Sequence, residues 1–554
     1  MQAQFDYTKN SDGFSLTITG YTGFGGDVTI PATIDGLTVN CIGPAAFYDS
    51  TNLINVTISG GVTNIGEWAF LECFDLARVT IPGSAAWIGP YAFYDCTNLA
   101  NVTMANGVTN IGEYAFGNCG LSNVTIPNSV ASIADFAFSE CPVLTNVMIP
   151  ASVTNLGAGV FSSCTSMRAI TVAAQDMYYS STNGVLFDKN LTTLVEFPGG
   201  GVGGSYLVPE SVTDIADYAF ASFAALTGIT IGDSVTNLGN GAFSGTGLTN
   251  VTIPHSVTQL GEGAFLECYS LTNVTIPSSV TLWGSFAFEY CTSLTGITFA
   301  NGLTSIGPYA FENCTNLARV TIPGSVASIE DGAFWYCSGL TNATMANGVT
   351  SIGEWAFLDC TNLTRVAIPG SVTGLGDYAF YGCSSLTSVT LSSGVTNIGV
   401  YEFGGCALAS LTIPASVTSI DYDAFNDCPG LISVYFQGNA PTIGVGPFSG
   451  ENPTLYYLPG TTGWGDFSTN VGLATVLWNP LIQTSDSSFG VRNNQFGFHI
   501  TGTTNIPIVV EACADLVNPV WTALTFTALT NGSYYFSEPL QTNPAGRYYR
   551  ISAP

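Results

Sequence analysis

Apolar and polar residues alternate in a short segment that recurs along most of the chain. In the unit from Leu271 to Leu294, apolar Val274 and Ile276 flank a polar residue, and Pro277 ends the segment. This alternation is typical of a short strand with one buried face. A second apolar segment then leads back toward the core, and Gly284 allows the turn. The unit therefore predicts two short strands in each repeat.

The repeat is regular over about 400 residues. Seventeen phenylalanines from Phe47 to Phe448 follow one another at intervals of 22 or 23 residues, apart from one interval of 59. A period of 23 is too short for a pair of helices and suits one coil of a solenoid, whose apolar residues are buried against neighbouring coils. We therefore predict a mainly β solenoid of about 17 coils with parallel sheets.

The regions outside the regular repeat predict caps and a second domain. Residues 1–40 are rich in strand-forming residues and suit an N-terminal β cap, followed by the solenoid at 41–479. A degenerate coil and a change of composition at about 437–479 suit a C-terminal cap. From 480 to 554 the period is lost and apolar residues alternate, which predicts a small antiparallel β-sandwich-like domain.

The interval of 59 residues contains an insertion at about 175–206. Its segment G-V-L-F-D-K-N-L-T-T-L-V-E-F-P, from Gly184 to Pro198, predicts a hairpin that turns at Asp188, Lys189 and Asn190. We expect this hairpin to project from the solenoid without splitting its core.

Cysteine usage does not identify the redox compartment. Thirteen of the fifteen cysteines occupy one repeat position. Neighbouring coils would place them about 5 Å apart, yet parallel side chains in one column do not easily reach the disulfide torsion. We interpret them as small buried core residues, with coil-to-coil disulfides or soft-metal binding as alternatives.

Charge narrows the range of partners. The chain has 38 acidic residues against nine Lys and Arg, a formal net charge of −29. This balance argues against nucleic acid or an anionic membrane and favours cations or basic surfaces. No apolar run approaches the roughly 20 residues of a membrane span, so we expect no direct membrane insertion. The first residues lead straight into strand-like sequence, and we expect any export signal to have been removed.

The full repeat resembles a known family. Its pattern C-x-x-L-x-x-V-x-I-P-x-S-V-x-x-I-G-x-x-A-F is similar to the bacterial leucine-rich repeat of the BspA-like, Treponema pallidum type, over roughly residues 40–450. The resemblance implies a leucine-rich-repeat solenoid on an exported or surface-displayed bacterial protein that adheres to host, matrix or neighbouring-cell components. Family members share no catalytic residue set, and the only histidines are His255 and His499. We therefore predict a protein that is not an enzyme.

The outward positions of the first strand give candidate binding residues. Threonine fills 13 of 16 of these positions, and threonine both favours strands and forms a nearly uncharged array of hydroxyl groups. Three arginines interrupt a neighbouring column that is rich in Asn and Ser. The candidate contacts to a protein or glycan are Arg78, Arg319, Arg365, Thr80, Thr275, Thr298, Thr321 and Tyr435. Strand propensity and solubility are the alternative explanations.

Two acidic columns give a candidate cation site. Asp49, Glu72 and Asp95 directly precede the cysteine position on consecutive coils, about 5 Å apart. A cation with oxygen ligands would relieve their repulsion, so calcium is the only cofactor that the sequence suggests; side chains that splay into water are the alternative. A second acidic set follows the Ile-Gly turn at Glu67, Glu113, Asp217, Glu262, Glu354 and Asp377.

The sequence is consistent with two alternative functions. The first is a secreted or cell-surface module that binds an extracellular protein or glycan through an extended solenoid face. The second is a structural subunit that assembles with copies of itself into an extracellular filament or sheath, because solenoid ends expose unpaired strand edges.

Overall fold

The computed structural model describes residues 4–201, 203–517, 519–540 and 546–553, and within them the chain is mainly β, with 49 strands and one helix. The predicted fold class is confirmed. The chain divides into two compact units, Met1–Ala318 and Arg319–Pro554.

The first unit begins with strands that cover the first coil. Strands β1 and β2 form an antiparallel hairpin, and β2 and β3 then pair in parallel with later strands. The rings of Phe5 and Tyr21 lie 6.2 and 5.2 Å from that of Phe47, the first residue of the phenylalanine series. These strands are β1 (Phe5–Lys9), β2 (Ser15–Tyr21), β3 (Gly26–Ile30), β4 (Thr33–Ile34) and β5 (Leu37–Ile42).

Most of the following coils contribute one longer strand and one two-residue strand, as the sequence predicts, and the coil between β11 and β12 has no longer strand among the described residues. The longer strands are β6 (Leu53–Ile58), β8 (Arg78–Ile81), β10 (Asn101–Met104), β13 (Asn146–Ile149), β15 (Ala169–Val172), β19 (Gly204–Leu207), β21 (Leu226–Thr230), β23 (Asn250–Thr252), β25 (Asn273–Ile276) and β27 (Gly296–Phe299). The short strands are β7 (Asn64–Ile65), β9 (Trp87–Ile88), β11 (Asn110–Ile111), β12 (Ser132–Ile133), β14 (Asn155–Leu156), β20 (Asp214–Ile215), β22 (Asn237–Leu238), β24 (Gln259–Leu260), β26 (Leu282–Trp283) and β28 (Ser305–Ile306).

The repeated apolar residues stack from coil to coil. Parallel pairing places Val56 opposite Val79 and Val79 opposite Val102, so the same side of each strand turns inward. The repeat phenylalanines stack with ring centroids 4.6 Å apart between Phe47 and Phe70 and 4.9 Å apart between Phe70 and Phe93. Such offset stacking adds about 0.5–1.5 kcal/mol for each pair beyond the burial of apolar surface. The 23-residue period thus stacks the phenylalanine of one coil on that of the next.

The insertion forms the predicted hairpin, but the prediction that it projects from the solenoid is wrong. Strands β16 (Tyr179–Thr182), β17 (Val185–Asp188) and β18 (Thr193–Glu196) pair antiparallel in sequence, and β18 then pairs in parallel with β20. Leu186 and Phe187 are buried. The Phe197 ring stacks on Phe220 at 5.0 Å, so the insertion supplies a coil of its own. The short-strand ladder ends at β14 and a new sheet starts at β16.

The second unit repeats the coil architecture. Its longer strands are β29 (Arg319–Ile322), β31 (Asn342–Met345), β33 (Arg365–Ile368), β35 (Ser388–Leu391), β37 (Ser410–Ile413), β39 (Ser433–Phe436) and β41 (Thr454–Tyr457), and its short strands are β30 (Ser328–Ile329), β32 (Ser351–Ile352), β34 (Gly374–Leu375), β36 (Asn397–Ile398), β38 (Ser419–Ile420) and β40 (Thr442–Ile443). Helix α1 (Trp464–Val471) and strand β42 (Thr475–Leu477) follow, and Trp464 and Phe467 pack on Phe436.

The chain ends in two antiparallel sheets that pack on each other. One contains β43 (Leu481–Gln483), β44 (Gly490–Arg492), β45 (Gln495–Thr501) and β48 (Ser533–Pro539), and the other contains β46 (Pro507–Cys513), β47 (Thr522–Ala528) and β49 (Tyr548–Ser552). Phe498 and Phe536 of the first sheet share a core with Ile508 and Val510 of the second. This arrangement is the predicted β-sandwich-like domain.

Candidate binding surfaces

The threonine column lies on the outer side of the longer strands, which we call the strand face. In β8 and β25 the burial alternates between exposed and buried, with Thr80 and Thr275 exposed. Thr80 lies opposite Thr103, and Thr275 lies opposite Thr298. Thr321 of β29 is exposed and lies opposite Thr344. The register therefore produces rows of exposed hydroxyl groups on neighbouring coils.

Each of the three candidate arginines lies on the threonine side of its own strand. Arg78 is exposed and precedes Thr80 by two residues on one strand, so both point to the same side. Arg319 and Arg365 are exposed, and both pair in register with Asn342. The three ion pairs found in the described residues all lie within residues 480–554. The charges of these arginines are thus available to a partner.

Tyr435 is buried, which corrects its prediction as an exposed binding residue. Its side chain is 5% exposed and belongs to the core cluster that contains Phe498 and Ile500 of the terminal domain. The Tyr435 ring stacks on Tyr456 at 4.9 Å, and the Trp478 indole Nε1 donates to the Pro507 carbonyl at 2.9 Å. The terminal domain therefore covers the strand face at its last coils.

A cavity remains beside this contact. Its volume is about 350 Å³, and its lining includes Thr412, Tyr456, Trp478 and Arg550. Arg550 lies over the Trp521 ring and donates from Nε to Glu511 at 2.6 Å, so its charge is already paired.

The acidic column before the cysteine position occupies a left-handed backbone conformation. The φ angles of Asp49, Glu72 and Asp95 are 52°, 59° and 60°, and Asn118 on the next coil has a φ of 50°. Asp and Asn tolerate this region better than most residues, so the turn itself favours them here. The Asn118 side-chain amide donates to Asp95 at 2.6 Å, and the Tyr48 hydroxyl donates to Glu72 at 3.3 Å.

The described part of the chain contains no group of three or more His, Cys, Asp or Glu side chains placed to hold a metal ion. Asp217 and Asp377 of the second acidic set have a structural role, since their carboxylates accept the backbone N–H of Asn240 and Val400 on the next coil, at 2.7 and 2.9 Å.

The cysteine ladder lies in the core, as predicted. Cys73, Cys96 and Cys119 are buried, and their thiols donate to the carbonyl oxygens of Phe47, Phe70 and Phe93 at 3.1 to 3.2 Å. Burial raises the pKa of the Cys96 thiol well above its usual value, which keeps the thiol protonated. The thiol adds a second, weak donor to a buried carbonyl that already accepts a backbone N–H, as the Phe70 carbonyl does from Cys73.

A stripe of aromatic side chains was missed by the sequence reasoning. The residue two positions before each repeat phenylalanine also has a positive φ, and ten coils carry a bulky aromatic residue there. The Tyr114 ring stacks on Tyr91 at 5.0 Å and on Phe136 at 4.9 Å. A left-handed backbone costs roughly 1–2 kcal/mol for such residues, and ring stacking offsets part of this cost. The members of this aromatic stripe are Trp68, Tyr91, Tyr114, Phe136, Tyr218, Phe286, Tyr309, Trp355, Tyr378 and Tyr401.

The signal for the stripe was present in the sequence. A Tyr, Trp or Phe directly before the Ala-Phe pair recurs at the repeat period, beside the acidic residues that follow the Ile-Gly turn. Its conformation was not apparent, because bulky residues seldom adopt positive φ. Burial raises the pKa of Tyr114 to about 12, so the stripe is uncharged at neutral pH.

No helix among the described residues has the length and apolar character needed to cross a membrane.

The BspA type leucine rich repeat region matches the chain in six copies, at residues 27–133, 87–198, 205–318, 263–384, 304–432 and 350–462. Together these copies cover more than half of the 554 residues. The comparison with curated proteins gives no match.

Solved structures of bacterial leucine-rich repeat proteins are similar to this chain. A protein from Eubacterium ventriosum is 26% identical, with a TM-score of 0.52, and the match covers 70% of this chain and 94% of that one. A protein from Bacteroides ovatus is 24% identical, with a TM-score of 0.42, over 86% and 98% of the two chains. A leucine rich cell surface protein from Faecalibacterium prausnitzii is 26% identical, with a TM-score of 0.39, over 71% and 94%.

Proposed function

Because this chain belongs to the BspA-type leucine-rich repeat family of bacterial proteins, we propose that it is a non-enzymatic protein of the cell surface or the extracellular medium. It binds an extracellular protein or glycan through its strand face. The observation that carries this proposal is the exposed array of in-register threonines with unpaired arginines beside them.

The chemistry of the strand face supports binding rather than catalysis. Hydroxyl groups donate and accept hydrogen bonds and guanidinium groups donate them, over a wide area and without a large desolvation cost. Arginine is enriched where interfaces are strongest. Against a net charge of −29, three unpaired arginines are the sites where an acidic group of a partner is attracted.

We expect replacement of Arg78, Arg319 and Arg365 by alanine to weaken capture of the partner at least tenfold, which corresponds to about 1.4 kcal/mol. Surface plasmon resonance against immobilised matrix proteins and glycans measures this effect. The matched control, Arg492→Ala, removes an exposed arginine from β44 of the terminal domain and should bind normally.

A triple replacement by lysine separates charge from shape. Lysine keeps the charge but loses the planar fork of donors, so capture should recover only in part. Equal capture by the alanine variant and the parent protein would contradict the assignment of these arginines.

Self-assembly is the second candidate function. The hairpin strand β1 lies at the edge of the nine-stranded sheet in the first unit, and no described strand pairs with its outer side. Edge strands of this kind accept a strand from another chain.

A further inference from the structure

The aromatic stripe has a gap in the first unit that forms a slot. Between Tyr218 and Phe286 the stripe position is taken by Gly241 and Gly263, with φ angles of 54° and 58°. A cavity of about 220 Å³ lies at this gap, and Tyr218 and Phe286 line it together with both glycines. Ten other coils place an aromatic ring at the stripe position, so the slot exists because two neighbouring coils lack one.

The floor of the slot is backbone. Gly241 and Gly263 are buried. The Tyr218 ring lies against Gly241, since a Cβ on this glycine would approach the ring to 2.5 Å. The three atoms nearest to a Cβ on Gly263 would all belong to the Leu266 side chain, at 3.2 to 3.9 Å. The slot therefore has a ring at each end and space above Gly263.

Carboxylate side chains line the slot, and no lysine or arginine of the described residues forms an ion pair with them. Glu262 is exposed and Glu289 is half-buried, and both line the cavity. Burial and then the charge of Glu267 raise the pKa of Glu289. Burial and then the charge of Glu289 raise the pKa of Glu312 to about 7. None of the three ion pairs in the described residues involves these glutamates, and the sequence has no lysine or arginine between Lys189 and Arg319.

We propose that this slot binds an arginine side chain presented by a peptide segment of a partner protein. A guanidinium is planar, stacks over aromatic rings and donates to carboxylates through two parallel N–H groups. The rings of Tyr218 and Phe286 and the carboxylates of Glu262 and Glu289 provide both kinds of contact. The slot is built from a different segment of the coil than the strand face, so this inference does not depend on the function proposed for that face.

The proposal can be tested by saturation-transfer NMR of the full chain with the capped peptide acetyl-Gly-Arg-Gly-amide in 150 mM salt. At this ionic strength the Debye length is about 8 Å, so long-range attraction of the peptide to the overall negative charge is screened. We expect saturable binding that Gly263→Tyr abolishes, because the new ring fills the slot as Tyr91 and Tyr114 fill other coils. Gly332→Tyr makes the same change at the same repeat position in the second unit and should bind normally.

Glu289→Gln removes one carboxylate and should weaken binding at least fivefold, whereas Glu113→Gln, on a coil whose stripe position holds Tyr114, should not. If Gly263→Tyr lowers the melting temperature, the binding measured for Glu289→Gln and Glu262→Gln decides between the outcomes.

Peptide binding that is unchanged in both Gly263→Tyr and Glu289→Gln would overturn the proposal. Equal affinity for acetyl-Gly-Lys-Gly-amide would overturn the guanidinium assignment. Binding of glucosamine in place of the peptide would overturn the partner class and indicate an amino sugar.

Discussion

Glu402 occupies a repeat position that alanine fills in other coils, at Ala379 and Ala424. Its carboxyl group is fully buried, and neither oxygen has a hydrogen-bond partner within the described structure. Glu402 Oε2 and Asp377 Oδ1 both lie beside Gly399, 3.2 and 3.0 Å from the position that a Cβ on this glycine would take. Burial and then the charge of Asp377 raise the pKa of Glu402 well above its usual value. A buried carboxyl group without a partner destabilises the fold.

We expect Glu402→Ala to raise the free energy of unfolding by about 1–3 kcal/mol near neutral pH. When folding raises the pKa of a carboxyl group, the free energy of unfolding falls as the pH rises from the pKa of the unfolded state to the pKa of the folded state. The gain from the substitution should therefore be larger at pH 8 than at pH 5. Chemical denaturation at both pH values measures it.

The control for this variant is Glu354→Ala, which removes an exposed carboxylate from the same unit. Its effect should stay within about 0.5 kcal/mol. A loss of stability in Glu402→Ala at both pH values would mean that the carboxyl group has a partner that stabilises it.

At the scale of elements, the Glu196 side chain links the coils before the insertion to those after it. In regular coils the backbone N–H of the repeat phenylalanine donates to a carbonyl of the next coil, as Phe138 does to Val160 at 2.9 Å. At the insertion, Phe161 donates instead to Glu196 Oε1 at 2.7 Å. Glu196 is buried, and burial raises its pKa to about 8. A side-chain oxygen thus replaces a backbone carbonyl where the coil sequence is interrupted.

Two substitutions of Glu196 separate hydrogen bonding from charge. Glu196→Ala leaves the Phe161 N–H without an acceptor and opens a cavity, so we expect a loss of about 2–4 kcal/mol. Glu196→Gln keeps an acceptor oxygen and should be nearly neutral at pH 6.

The parent protein should lose stability as pH rises from about 4.5 through 8, because the folded state holds its proton more tightly than the unfolded state. Glu196→Gln should lose less stability over this range. Thermal melts of the three proteins from pH 5 to 9 measure both effects. A parent protein and a Glu196→Gln variant with the same pH dependence would show that Glu196 is not the titrating group.

At the scale of the whole molecule, charge and strand edges decide between a binding module and an assembling subunit. The net charge of −29 keeps chains apart at low ionic strength, and cations screen this repulsion. The packing of the terminal domain on Tyr435 buries surface that would otherwise attract a second chain.

We expect negative-stain electron microscopy of the purified chain to show isolated particles across a concentration series, both with calcium and with chelator. This outcome follows if the strand face and slot act as binding surfaces for other molecules. Ordered filaments would instead favour the structural subunit. Filaments that require calcium would also support a cation role for Asp49, Glu72 and Asp95.

Much of the solenoid could be predicted from the sequence because each coil repeats the same local pattern. The spacing of phenylalanines from Phe47 to Phe448, the buried cysteine ladder and the outward threonines such as Thr80 all follow from one period and one strand alternation. Parallel stacking then places equivalent residues beside one another, so local periodicity is sufficient to determine which side chains share a column.

Other features depend on contacts between segments that are distant in sequence. Phe197 joins the phenylalanine column only through the pairing of β18 with β20, and Tyr435 is buried only because the terminal domain packs on it. The slot between Tyr218 and Phe286 likewise needs two glycines, two rings and two carboxylates from neighbouring coils. The sequence by itself determined the period, the two-strand coil and the polar face, because these are set within 23 residues. Only the tertiary structure decided which exposed positions are covered and which open into a cavity, because burial depends on the segments that pack together.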